Sequence, residues 1–589
     1  MKKDFDPDAG DRHPFLVQNH SGLSRWSVAL IVVFGATLLG IGLGGNTRVL
    51  TTHEVCFAQP AREMLASGDW VVPRLAGLPI TEKPPLTYWA VAAAMSLFGR
   101  DDEWVVRSYG VPAAIFTALM IAALAARWFG NRVALAAGLM QLSVFYILQV
   151  ARVAESDTLL LTAVCAAMCS FAWAAVDSPH GRRDRRWLPW AFYLAAGIAF
   201  LAKGLIGPVF IFSGCLLFVM WQRDWRRLWF FASPVGLTLF VTCLVAWPLA
   251  AWQSHPQFLT DQVHHHLGRF RGDMAANTGG TKPFLFYGYS ILLVMLPWTP
   301  LAIWAAVRAV RGSFYAGVAC PRLRGHDWFS GPEYRPFWRF TACWLLPGLA
   351  VLTASAWKHQ HYSAPLLPPL SVLAAVGLFE YFAARQASGS RRTSWLAAGA
   401  VAACAAAVVA VQWLQPRGAA PITALVMFLG AAVLAMIYFE HRGWQRAQMA
   451  SIFGTAWLAA VGALVFVMPH HDSYRDQAVF ADQANSIVPA GKPLYLVHLP
   501  EFQITYYLKP PLVRIENERE LIAGSTDLDD GSYILAPQYV VEALSKAGRV
   551  EVLDRCPTIR RIMTERDRFI LARLTMPSAQ ATRPADGRR

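Results

Sequence analysis

The chain carries ionisable side chains at places where an apolar sequence should avoid them. His53, Glu54, Glu82, Lys83, Asp157, Lys203, His264, His265, His266, Arg269, Lys358, His359 and His361 lie at the ends of long apolar runs or in the long segments that join them. Charge in such positions costs free energy, so these residues are functional candidates by default. Their types sort by chemistry. The carboxylates of Glu54 and Asp157 can deprotonate or orient a nucleophile. The cationic groups of Lys83, Arg269, Lys203 and Lys358 can neutralise a phosphate at a lipid–water boundary. Each residue also has a plainer reading. Glu54 follows Thr51 and Thr52 and suits the cap of a loop helix, and Ser156 or Asp157 suits a helix start. The basic side chains can simply snorkel to the interface.

The histidine run His264-His265-His266 offers two readings. One or two of its imidazoles, with Glu82 as a carboxylate partner, can hold a divalent metal, zinc or manganese. The alternative is an interfacial loop without metal. His359 and His361 have the same ambiguity.

The elements that must position these residues follow from composition. Of 589 residues, 55% are hydrophobic and only 15% are charged, against roughly 25% charged in a soluble domain. The mean hydropathy is +0.35. A soluble globular enzyme, a disordered chain and a disulfide-rich secreted domain are excluded. Apolar runs of spanning length cover 26–43, 108–126, 133–151, 158–176, 187–202, 204–222, 228–251, 284–307, 340–357, 359–379, 393–414, 418–439 and 447–468. That makes roughly 13 transmembrane helices, with 187–202 the least secure. The segment before Trp26 has no cleavable signal pattern, so the first run is expected to remain as an anchor. The nine cysteines show no CxxC or zinc-finger spacing.

The net charge of +15 does not point to nucleic acid. Its arginines sit in short loops between apolar runs, which is the positive-inside pattern, and anionic membrane lipids are the fitting partner. With the N-terminus cytoplasmic, loop after loop obeys that rule. The odd span count then places the C-terminus outside, in the bacterial periplasm, on a multi-pass protein of the inner membrane. Three segments on that side are long: 44–107, 253–282 and the tail from 470. The tail changes composition, with short β-rich runs at 494–499, 512–515, 533–535, 550–553 and 569–574. It reads as a soluble α/β domain, so the chain divides into a transmembrane domain, 1–468, and a periplasmic domain, 469–589. Its last residues, 577–589, are expected to be disordered.

The loop 44–107 contains the run AREMLASGDWVVPRLAGLPITEKPPLTYW. In this run the chain resembles the membrane glycosyltransferases of the protein-O-mannosyltransferase-like group, which have the GT-C fold. Within that group it is most similar to the aminoarabinose transferases that modify lipid A. The resemblance covers the first ten spans well and the tail weakly. It implies a polytopic helical GT-C domain, a polyprenyl-phosphate sugar donor and catalysis on the outer face. It places basic residues in Glu82-Lys83-Pro84 and at Arg269-Phe270, and an acid near Asp157. Tyr362 resembles an aromatic residue at the start of its span, and Tyr88 lies in the matching run, so both join the donor set. The group begins with Asp-Glu just after the first span. Here that pair is His53-Glu54, which leaves Glu54 as the surviving carboxylate.

The resemblance thus implies transfer of 4-amino-4-deoxy-L-arabinose from undecaprenyl phosphate to a lipid A phosphate. The product would be a less anionic surface that resists polymyxin and other cationic peptides. The alternative keeps the fold and glycosylates a protein hydroxyl, as a protein O-mannosyltransferase does, which demands a well-placed base. A transporter is disfavoured, because the charges cluster at one face rather than at the midplane.

Overall fold

The computed structural model describes residues 22–44, 48–75, 77–178, 186–271, 282–314, 328–329, 331–388, 419–462, 464–465, 475–497, 502–515, 517–523, 528–556 and 568–575. The expected span 393–414 and the expected disordered end 577–589 lie outside these residues. The chain divides into two compact units, one of residues 1–43 and 60–467, the other of 44–59 and 468–589.

The first unit is helical. Helix α1, Arg25–Gly40, starts at Ser24, whose hydroxyl accepts the Ser27 N–H. Both serines also donate to the Asn131 side chain, from the Ser24 backbone N–H at 2.8 Å and the Ser27 hydroxyl at 3.1 Å. The expected loop 44–107, whose residues 44–59 belong to the second unit, is itself largely helical. It holds α2, Thr52–Ser67, a two-residue hairpin of β1 (Arg74–Leu75) and β2 (Leu78–Pro79), α3, Leu86–Phe98, and α4, Glu103–Arg107.

The runs 108–126 and 133–151 form α5, Gly110–Ser143, interrupted at Gly130 (φ +81°), and a short α6, Phe145–Val150. Then follow α7, Asp157–Ala175, α8, Leu188–Lys203, and α9, Ile206–Gln222. The least secure expected span is thus a continuous helix.

Further expected spans are broken. The run 228–251 starts with a 3-10 stretch, Trp225–Phe231, and its helix, α10, Pro234–Ser254, begins only after Ser233 caps the Gly236 N–H. A proline at the first helical position suits a start and not a continuation. The run 284–307 divides into α12, Phe286–Val294, and α13, Thr299–Phe314, after α11, Phe258–Arg271. The two halves are bent by 119°. Pro297 sits in the break and lacks the N–H that a continuing helix needs. The core of the unit closes with α14, Arg335–Ala354, a 3-10 turn, Gln360–Leu366, and α15, Leu367–Ser388.

Among the described residues five helices are long and apolar enough to cross a membrane, or six if the bent pair is one span; four more are apolar but shorter. The chain is therefore a multi-pass membrane protein. The expected figure of about 13 counted apolar runs, and the described helices do not establish it.

The second unit is an α/β structure. Its sheet has the order β4-β3-β5-β7-β6, from β3 (Leu494–Val497), β4 (Leu512–Ile515), β5 (Tyr533–Pro537), β6 (Val550–Arg555) and β7 (Phe569–Leu574). β4, β3 and β5 are parallel, and β7 is antiparallel to both neighbours. Each of the five β-rich runs of the tail became a strand. Alternation along the strands builds two cores. Leu494, Leu496, Leu535 and Leu571 pack with Phe480 of the helix Arg475–Ile487. Val497, Ile534, Ala536 and Ile570 pack with Val540 and Val541 of the helix Gln538–Lys546.

Candidate active site

The first residue of α7 and the last of α8 meet. Lys203 Nζ donates to Asp157 Oδ1 at 2.6 Å. The Asp157 side chain is buried, whereas the Lys203 side chain keeps 21% exposure. The N-cap residue Ser156 makes no side-chain cap bond. The helix does start here, with Ser156 at its N-cap and Asp157 in its first turn, and the acid also pairs with a group 46 residues away. The ammonium of Lys203 also lies 4.8 Å from the centre of the Tyr362 ring, a cation–π contact.

Around this pair stand further groups expected from the sequence. His361 meets Tyr362 edge-on, with ring centres 4.5 Å apart, and stacks on His359 at 5.0 Å. His359 is fixed in turn, since the Trp357 indole N–H donates to its Nε2 and the Tyr287 hydroxyl donates to its carbonyl. Lys83 and His361 are both within electrostatic reach of the Asp157 carboxylate. Asp157, Lys203, Lys83, His361 and Tyr362 thus form one cluster of mainly cationic character with a single buried acid.

The segment that presents Asp157 is held from several sides. The Thr158 hydroxyl donates to the Val150 carbonyl at 2.6 Å, and the Tyr109 hydroxyl donates to the Glu155 carbonyl at 2.8 Å. Gly110 packs so close that an added Cβ would lie 2.4 Å from the Ala151 carbonyl oxygen. Arg152, buried, donates to the carbonyls of Leu39, Ile41 and Gly42 at 2.6, 2.6 and 2.8 Å. Arg107, also buried, donates to Leu43 at 2.9 Å. Two guanidiniums thereby satisfy the exposed carbonyl end of α1 and meet its negative dipole end. Neither arginine stands out in the sequence. The available signal is a lone Arg at the boundary of an apolar run.

Glu54 lies in the other unit and is fully buried. Thr51 and Glu54 form a capping box. The Glu54 N–H donates to Thr51 Oγ1 at 3.3 Å, and the Thr51 N–H donates to Glu54 Oε2 at 2.9 Å. Arg48 adds an ion pair to the same oxygen at 3.3 Å. His53 is exposed beside it. The cap reading of Glu54 is therefore realised, and its carboxylate is held by a cation.

Other expected site residues are placed differently. Lys358, buried, donates to the Ser355 carbonyl at the end of α14. Tyr88 is buried in α3. Glu82 follows Thr81, which is tied to α11 by its hydroxyl on Asp261 Oδ2 at 3.2 Å and by the Gln262 amide on its carbonyl. His264 is exposed on that helix. The side chains of His265, His266 and Arg269 lie outside the described residues. Among the described residues no group of three His, Cys, Asp or Glu comes together to hold a metal ion, and no step is derived through one.

Known proteins resemble this chain over most of its length. Residues 82–252, which include Lys83, Asp157 and Lys203, match the family model described as dolichyl-phosphate-mannose-protein mannosyltransferase. The undecaprenyl phosphate-alpha-4-amino-4-deoxy-L-arabinose arabinosyl transferase of Pseudomonas aeruginosa is 28% identical over 455 residues, 76% of this chain and 76% of the relative. The protein of the same name from Edwardsiella ictaluri is 31% identical over 326 residues, 55% of this chain and 54% of the relative. The crystal structure of ArnT from Cupriavidus metallidurans bound to undecaprenyl phosphate superposes with a TM-score of 0.70 at 20% identity. The match covers 93% of this chain and 97% of that one. The chain has that fold, the GT-C fold, and its resemblance to the protein-O-mannosyltransferase-like group is borne out.

Proposed function

We propose that this GT-C membrane glycosyltransferase moves 4-amino-4-deoxy-L-arabinose from undecaprenyl phosphate to a phosphate of lipid A. The observation that carries the reading is the cluster of Asp157, Lys203, Tyr362, His361 and Lys83 at the ends of apolar helices. A lipid-linked phosphate is the ligand such a place suits. Its chain lies among apolar helices while its headgroup meets ammonium groups and an aromatic face. The Lys203 charge, balanced by Asp157, becomes shared when a phosphate arrives. The relatives named for this transfer support the sugar and the donor.

In the reaction the bond between the sugar C1 and the donor phosphate oxygen breaks, and an acceptor phosphate oxygen forms the new bond. Undecaprenyl phosphate leaves on Lys83, Lys203 and Arg269. Asp157 holds Lys203 in place or meets the amino group of the sugar, and Glu54 orients the loop that faces the acceptor. A phosphate acceptor is already largely ionised near neutral pH, so it needs placement more than a base. The structure favours this over a hydroxyl acceptor, because Asp157 and Glu54 each already have a cationic partner. Catalysis then belongs on the periplasmic face of the inner membrane, where such lipids are modified.

Mass spectrometry of lipid A from cells with and without the gene tests the reading. An added aminopentose is expected only with the gene. Unchanged lipid A alongside a newly glycosylated protein would favour the mannosyltransferase-like alternative. Within the site, Lys83→Ala and Arg269→Ala should each slow transfer by roughly 30- to 150-fold. That corresponds to about 2–3 kcal/mol for one charge-assisted phosphate contact. Arg311→Ala, at an exposed position in α13, should leave the rate unchanged. Full activity in Lys83→Ala at equal protein level would mean that the phosphate is bound elsewhere.

A further inference from the structure

We infer that the C-terminal α/β unit holds the Thr51–Glu54 segment in its working geometry, and that Tyr507 is the positioning residue through which it acts. Residues 44–59 form one compact unit with 468–589. Within that unit the Leu50 backbone N–H donates to the Tyr507 hydroxyl oxygen at 2.9 Å, across 457 residues of sequence. Leu50 is fully buried. Tyr507 ends the helix Phe502–Tyr507 and is itself anchored. The Asn485 side-chain amide donates to the Tyr507 carbonyl at 2.9 Å, and its oxygen accepts the Lys509 N–H at 2.8 Å. Asn485 belongs to the helix Arg475–Ile487, whose Phe480 packs on the sheet. A rigid path therefore runs from the sheet to the phenol.

The path continues to the candidate chemistry. Thr51, next to Leu50, is one half of the capping box, and Glu54 is the other. Arg48, two residues before Leu50, closes on the Glu54 carboxylate. Fixing Leu50 fixes both flanks of that box, because the Thr51 N–H that Glu54 accepts belongs to the next peptide unit. The first turn of α2, with His53 and Glu54, is thereby held by the tail rather than by its own short loop. The inference rests on the proposed role of this segment in transfer.

Tyr507→Phe in the full-length chain tests it, since the ring stays and only the accepting oxygen goes. Hydrogen exchange at the Leu50 amide should quicken while exchange in Leu494–Val497 stays as it was. Turnover should fall about five- to tenfold, the size of one hydrogen bond, with KM for the donor unchanged. Asn485→Ala should act in the same direction and serves if Tyr507→Phe is poorly produced. The double variant Tyr507→Phe with Glu54→Gln should be hardly slower than Glu54→Gln alone, because the two act on one element. Unchanged Leu50 exchange, or losses that multiply in full, would overturn the inference. If the wild-type protein transfers no aminopentose to lipid A, the function reading fails first and this inference with it. If it does transfer, the variants judge Tyr507 alone.

Discussion

Lys203→Ala should abolish detectable transfer and lower the stability of the helical unit by about 3–5 kcal/mol, the usual effect of removing one partner of a buried ion pair. Asp157 is only 2% exposed and its carboxylate takes the Lys203 ammonium at 2.6 Å. Without that ammonium a buried charge stays behind without its closest partner. Two effects are mixed in this variant, and a second substitution separates them. Asn at position 157 removes the stranded charge, so Lys203→Ala with Asp157→Asn should recover most of the stability. It should recover none of the transfer, because the cation for the donor phosphate is still missing. Thermal melts in detergent and mass spectrometry of the product measure the two arms. Wild-type transfer in Lys203→Ala would remove this lysine from the donor site. Transfer regained in the double variant would make the pair structural only.

Arg152→Ala should destabilise the same unit by about 3 kcal/mol, with Arg152→Lys recovering part of the loss. The guanidinium supplies three bonds to carbonyls at and just beyond the end of α1, on Leu39, Ile41 and Gly42. Buried carbonyls left without donors cost about 1–3 kcal/mol each, but the three share one side chain and will not add in full. Lysine brings the charge that the helix end favours and lacks the planar fork that spans the carbonyls. Arg152 and Asp157 lie close together on one segment, so transfer should also fall as that segment loosens. Arg107→Ala, at the neighbouring Leu43 carbonyl, should show a smaller loss. Unchanged melting in Arg152→Ala would mean that water replaces the guanidinium at the helix end.

Much of the architecture is legible in the order of residues alone. The tail strands are short, β-rich and sit between polar stretches, so their limits are readable almost to the residue: 512–515 and 569–574 match β4 and β7. The apolar runs 187–202 and 204–222 likewise became α8 and α9. Runs read as single spans failed where one residue changed the backbone. Pro297 and Pro234 are examples, because hydropathy averages over a window and does not register a missing N–H. The candidate set has the same character. Lys83, Asp157, Lys203, His361 and Tyr362 stand out because charge or an aromatic ring at an apolar boundary is costly or useful wherever it occurs.

Partnership cannot be read that way. Sequence places Asp157 either at a helix cap or in a site, and only the approach of α7 to α8 decides for Lys203. It places Glu54 either in a cap or as a base, and the geometry puts Thr51 and Arg48 on its oxygens. Arg152 and Arg107 give no sign of their task, since the carbonyls they serve lie at the far end of α1. The physical reason is common to all of these. Which segments are apolar, and which residues are out of place in them, is a local property of solvation and chain geometry, so the sequence alone determined it. Which charge finds which partner depends on bonds between groups 46, 111 and 457 residues apart, and only the tertiary structure brings those groups within 3 Å.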